Sequence, residues 1–251
     1  AGGGRGAGVA MMGGGTVMHC TIVGNGTANY VRRSYGGGVF MTGGRLADCD
    51  IRGNYLYSDV IEEGAGVYAS GGDIVRCRLV GNMLLRGGST SQGAGLFADG
   101  IAEVSDCLIA GNRAQMGAGK GGGLFANQKL VCRNCTIVDN TAQQGGGAKL
   151  QVRSLLYNCI LQDNLSVAVD VDNNVSAQAD SVFVNCLTPS PLTANATGTV
   201  TARALFADAA NGDYRPKSVA SPAVDAGSDA DALSVVDLDG AVRKVGPVDI
   251  G

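Results

Sequence analysis

The stretch DCDIRGNYLYSDVIEEG, Asp48 to Gly64, gathers side chains of the kind that handle acidic sugars. Asp48, Asp50 and Arg52 point outward in the pattern developed below, and Tyr55, Tyr57, Asp59, Glu62 and Glu63 follow. The same pattern sets Arg76 and Arg78 beside Asp48 and Asp50. A polysaccharide lyase needs a base that removes the proton next to a carboxylate and a cation that stabilises the charge left behind. Arg52, Tyr55 and Tyr57 are the candidates for those roles. Asp48, Asp50, Arg76, Arg78, Glu62 and Glu63 are the candidates for lining a binding groove. A structural explanation competes: Asp48, Arg76 and Asp106 alternate in sign and would pair along one exposed column.

Other chemistry is thinner. His19 is the only imidazole and has no evident partner. RPK, Arg215 to Lys217, mimics an element of pectinase-like glycosidases but belongs to a C-terminal motif. GAGKGGG, Gly117 to Gly123, lacks the residues that follow GK in a phosphate-binding loop. Asp225, Asp229 and Asp231 in DAGSDAD, with Asp237 and Asp239 in DLDG, offer oxygen ligands on loops, the type Ca2+ prefers. Asx-turns produce the same composition. No other cofactor is expected. CRNC at Cys132 to Cys135 has neither a second such pair nor histidines to complete a zinc site. The eight cysteines leave two readings, buried thiols or at least one disulfide.

The elements that carry these residues repeat. CTIVGN starts at Cys20, CDIRGN at Cys49, CRLVGN at Cys77, CLIAGN at Cys107, CTIVDN at Cys135 and CILQDN at Cys159, and Cys186 continues the series. Three residues before each cysteine stand Val17, Leu46, Ile74, Val104, Cys132, Leu156 and Phe183. Two residues after stand Ile22, Ile51, Leu79, Ile109, Ile137, Leu161 and Thr188. That alternation predicts a short strand with the cysteine inward and one wet face. A glycine-led block keeps step, from GAGVAM at Gly6 to GGGAKL at Gly145.

Units of 24 to 30 residues with short strands cannot bury their apolar faces alone and must stack. Glycine triplets argue against helical repeats, since each glycine costs about 1 kcal/mol relative to alanine in a helix. The expected fold is all-β: a right-handed parallel β-helix, or solenoid, of about seven coils over residues 1–187. An irregular C-terminal cap over 188–251 would pack on it as one structural unit. Coils paired about 4.8 Å apart would make a rod roughly 30 Å long. Stacking would align Cys20, Cys49, Cys77, Cys107, Cys135, Cys159 and Cys186 in an interior column. Asn25, Asn54, Asn82, Asn112, Asn140 and Asn164 would form a ladder at a turn, in the left-handed conformation that Asn tolerates.

The alternating GAGLFA and CLIAGN blocks resemble the repeats of polymorphic outer-membrane proteins and adhesin-like β-helices. NGDYRPKSVASPAVDAG, Asn211 to Gly227, with DLDGAVRKVGPVDIG, Asp237 to Gly251, resembles the end of choice-of-anchor Q domain proteins, which are secreted bacterial β-helices. That pattern generally carries an aliphatic residue where Pro216 stands. The resemblance implies a secreted or cell-surface bacterial module for adhesion, matrix or glycan contact. Its partners would be a glycan or a surface or matrix protein, and coil ends could stack end to end into filaments. A lyase-like enzyme on acidic polysaccharide is the alternative. A net charge of −3 without a basic stripe argues against nucleic acid, and no apolar run is long enough for a membrane helix.

Overall fold

A computed structural model describes residues 4–27, 31–86, 89–100, 102–168, 173–192, 195–218, 220–243 and 246–251. It is a parallel β-solenoid of about six full turns, with one small antiparallel pair, Phe206–Asp208 with Asp213–Pro216, near the C-terminus. The early coils visit five walls in turn, and the first wall shrinks to single bridges at Lys120 and Gln144 further along. In the second coil these are Val31–Tyr35, Val39–Met41, Arg45–Ala47, Asp50–Arg52 and Tyr55–Leu56. We call them walls 1 to 5; they contain 4, 7, 8, 8 and 5 strands, so the third and fourth form the most continuous surfaces. Strands Asn195–Thr197 and Val200–Thr201 extend walls 3 and 4 past residue 187.

Register follows the repeat. Ile22, Ile51, Leu79, Ile109, Ile137 and Leu161 stack one above another in wall 4. Val17, Leu46, Ile74, Val104, Cys132, Leu156 and Phe183 do so in wall 3. Both columns, with Val39, Val67, Leu96 and Leu124 of wall 2 and the cysteines, build one continuous interior core.

Apart from Cys132 in wall 3, the cysteines are not the strand residues that the alternation predicts. They stand just past a corner made by the residue before each: His19, Asp48, Arg76, Asp106, Asn134, Asn158 and Asn185 all have φ between 47° and 55°. Asp and Asn suit that left-handed region best, which explains their majority. The thiol then donates back across the corner to the carbonyl two residues earlier, at 3.1 Å for Cys49 to Ala47 and Cys107 to Ser105. Cysteine is thus a small apolar residue that also occupies a carbonyl left over by the bend. All eight are free thiols. Cys20 corrects the expected interior column: no coil of the described structure lies over it, and it is exposed. Burial pushes the Cys107 thiol well above its ordinary pKa.

The next corner corrects the asparagine assignment as well. The left-handed residue is the one before each asparagine: Gly24, Gly53, Gly81, Gly111, Asp139 and Asp163. The asparagine itself turns inward. Asn82 Nδ2 and its backbone N–H both donate to Asn112 Oδ1 at 2.9 Å, and Asn112 repeats this with Asn140. Each buried Nδ2 also reaches a carbonyl of the preceding coil, as Asn112 does to Leu79 O at 2.9 Å. The ladder ends on Asn174, whose Oδ1 accepts from Asn164. Asn174 occupies the place of the third glycine in the GxG corner, just before the wall 2 strand Val175–Ala177.

That third glycine and the ladder are one device. A Cβ on Gly38, Gly66, Gly95 or Gly123 would lie within 2.9 Å of the neighbouring ladder Nδ2. Glycine at one corner therefore makes room for asparagine at the other, and the two repeats must run in step. Length variation is pushed elsewhere. Cysteine to asparagine is always 5 residues and first glycine to cysteine 13 or 14, whereas asparagine to the next first glycine ranges from 5 to 11.

The irregular C-terminal segment covers a flank of the solenoid. Wall 4 was expected to be wet outside, yet its outward residues Leu108, Ala110, Val138, Ile160 and Leu187 are buried against Ala204, Ala223 and Ile250. Gly251 N–H donates to Asn158 O, and Asn158 in turn bonds Ser228 at both its amide oxygen and nitrogen. Asp106, expected on an exposed column, is covered for the same reason.

Candidate binding crevice

Wall 4 and the C-terminal segment do not close on each other completely. Between them runs an open crevice of about 490 Å3. Wall 4 and its corner supply Arg78, Asp106, Leu108, Asn134 and Thr136. The antiparallel pair supplies Asp213, Tyr214 and Arg215, and the last stretch supplies Asp237, Asp239, Arg243 and Asp249.

Most of these groups are held in place by partners. Arg215 forks onto Asp213, with Nε to Oδ1 at 2.8 Å, and this pairing holds the Asp213 carboxyl at about 2. Arg78 pairs with Asp239 across the crevice. Tyr214 donates to Asp139 Oδ2 at 2.6 Å, and burial, then that bond, push its phenol upward. Asp237 Oδ1 accepts from the backbone of Asp239 and Ala241 at 2.9 Å. Burial raises the pKa of Asp106, which sits deepest.

The candidate groove residues divide into two groups. Asp48, Asp50, Arg76 and Arg78 line a recess of about 140 Å3 that shares Arg78 and Leu238 with the crevice. There Arg76 clasps Asp48 with Nε to Oδ1 at 2.6 Å and Nη2 to Oδ2 at 2.9 Å, which depresses the Asp48 pKa. Arg52 lies 3.0 Å from Asp50. The other group lies beyond the asparagine corner. Tyr55 stands in wall 5, and Tyr57 follows it, accepting from Arg86 Nη1 at 2.9 Å beneath the same guanidinium. Glu62 is fully buried and accepts from Ser58 N–H, Arg86 N–H and the Ser91 hydroxyl.

Glu63 stands at the end of wall 1, where burial, with the charge of Asp99 adding to it, pushes its pKa from 4.5 to about 7. The folded chain therefore keeps this proton at pH values where the unfolded chain has released it, and stability falls as pH rises from about 4.5 to about 7. Glu63→Gln should remove that slope and gain on the order of 1–2 kcal/mol at pH 8 relative to the unsubstituted chain, after allowance for partial exposure. Urea midpoints across pH 4 to 8 measure it; parallel curves for the two proteins would refute it.

The acidic loops are committed to their own backbone. Asp229 Oδ1 accepts from Val248 N–H, Asp249 Oδ1 from Asp225 N–H, and Asp231 pairs with Arg133 at 3.1 Å. Among the described residues, no three His, Cys, Asp or Glu side chains converge as a metal site would require. Among the same residues, no helix is long and apolar enough to cross a membrane.

The residues that sequence reasoning missed are Asp106, Asp213, Tyr214 and Arg243, because they meet only when the C-terminal segment folds back. The outward apolar residues Leu108, Ala110, Ile160 and Leu187 were the signal that something covers wall 4. Compared with protein-family models, curated proteins and solved structures, the chain has no match in any of the three. What is established is the parallel β-solenoid.

Proposed function

We propose that the chain is a rigid, secreted or cell-surface interaction module that binds glycan in the crevice between wall 4 and the C-terminal segment. The observation that carries this reading is the lining: three guanidinium groups and five carboxylates, largely fixed against each other, around about 490 Å3 of open space. That volume falls in the range of small-ligand sites. Paired forks keep lone pairs and N–H groups for a ligand rich in hydroxyls, and side chains already immobilised lose little entropy on binding. The resemblance to choice-of-anchor Q proteins supports surface display, and both of its C-terminal motifs contribute to the lining.

Calorimetric titration with a panel of neutral and acidic oligosaccharides tests the proposal. Arg215 is 70% exposed in its side chain, so Arg215→Ala should leave the thermal midpoint unchanged, as expected for a surface pair. It should weaken a bound oligosaccharide about tenfold, the loss of one charge-assisted hydrogen bond. No binding by any member of the panel, or binding indifferent to Arg215→Ala, would refute the assignment.

A further inference from the structure

Cys132 is the residue of its column that packing alone does not call for. In the other coils the same inward position of wall 3 holds Val17, Leu46, Ile74, Val104, Leu156 and Phe183. Each of those side chains buries more apolar surface than a thiol does. The neighbouring coil supplies a reason for the exception. A corner cysteine turns its sulfur toward the wall 3 residue of the coil before. Cys77 Sγ lies 3.6 Å from Leu46 O, Cys107 Sγ 3.6 Å from Ile74 O and Cys135 Sγ 3.8 Å from Val104 O. Cys159 makes the same approach to Cys132 O at 3.7 Å, and there it meets a second sulfur, Cys132 Sγ, at 3.8 Å. Both residues are fully buried.

Direction matters as much as distance. Successive corner cysteines stack in register, so their side chains run side by side, an arrangement that suits the disulfide dihedral of about 90° poorly. Cys132 and Cys159 instead come from different positions of the coil, one from wall 3 and the other from just past the corner, and their sulfurs converge. We propose that Cys132 and Cys159 become joined by a disulfide when the chain folds under oxidising conditions. A shift of about 1 Å by each sulfur closes the 3.8 Å contact to the S–S bond length of about 2 Å. Two S–H bonds break and one S–S bond forms. The two protons and two electrons pass to an exchanging disulfide such as oxidised glutathione, which leaves as two thiols. Neither sulfur is open to a reagent in the folded chain, so the exchange belongs to the stage at which the fifth and sixth coils close on each other. The bond pins together the two coils that anchor the C-terminal segment, through Asp139 to Tyr214 and Asn158 to Ser228. The inference is independent of the glycan reading; secretion enters only as the setting in which such oxidation takes place.

The test is a map of the cysteines after folding. The full chain, reduced and unfolded, is refolded in a mixture of reduced and oxidised glutathione, denatured, alkylated with iodoacetamide and digested for mass spectrometry. Six alkylated cysteines and one linked pair, Cys132 with Cys159, are expected, and before alkylation a mass about 2 Da below that of the reduced chain. The linked form should melt about 5 °C above the chain refolded with reductant. Cys132→Val fills the column as Val104 does, so it should fold, show no linked pair and lose that difference. Cys135→Ala should keep the pair. Should the denatured chain fail to refold, the same map on chain secreted into an oxidising compartment carries the test. Eight alkylated cysteines in the folded chain would overturn the proposal. So would a link within CRNC, or one between two cysteines of the corner column.

Discussion

Gly95→Ala should destabilise the solenoid by about 3 kcal/mol, at the upper end of what overpacking costs. Its new methyl carbon would lie 2.5 Å from Gly123 O of the next coil and 2.9 Å from Asn112 Nδ2. The first is backbone held in a wall, and the second is a ladder amide held by buried neighbours, so neither can yield cheaply. Gly111→Ala is the control. Gly111 has φ +64°, but its methyl would find no atom nearer than 3.9 Å. Only left-handed strain remains there, about 1–2 kcal/mol. Urea denaturation should separate the two variants clearly. Equal losses would mean that the close approach at the third glycine is not what the repeat conserves from coil to coil.

Asn112→Ala should cost about 3–5 kcal/mol. It removes the acceptor for the Asn82 backbone N–H and side-chain amide, and the donor for Leu79 O and Asn140 Oδ1, all at 2.9 Å and all away from water. Each buried group left unbonded costs about 1–3 kcal/mol, and the emptied volume adds to that. Asn112→Asp is the sharper variant. It keeps the shape and the acceptor, but it turns a donor toward two oxygens into a carboxylate facing them. It should be at least as damaging at pH 7 and recover partly in acid, where a protonated carboxyl can donate again. Circular dichroism during denaturation at pH 4 and pH 7 reads both. An aspartate variant as stable as the unsubstituted chain at neutral pH would show that the amide donors carry no weight.

The solenoid was legible because its period is carried by chemically distinctive residues. Aligning the cysteines also aligns Ile51 with Leu79 and Ile109, and the observed strand pairing has that register. Corner geometry was less legible. A cysteine flanked by Asp48 and Asp50 reads as an alternating strand, and only the left-handed φ of Asp48 moves it to a bend. The propensity of asparagine points to the left-handed position, yet the residue immediately before it takes that role, glycine in four coils and aspartate in two, freeing the amide to stack. The crevice was least legible. Arg78 and Asp239 are 161 residues apart, and Asp106 and Ser234 128, so no local pattern links them. The candidate residues near Asp48 nonetheless adjoin it, because Arg78 faces both recesses.

Confining variation in coil length to the run between each asparagine and the following glycine makes this chain a tolerant host for foreign sequence. Met116 to Ala118 lies exposed in such a run, after wall 5 has been left and before Gly119, whose carbonyl accepts from Gln143 and Gln144 of the next coil. A peptide grafted there would project sideways from one coil without displacing the rung above or below it. The architecture thus separates what must be invariant to hold the stack together from what is at liberty to diversify on its surface.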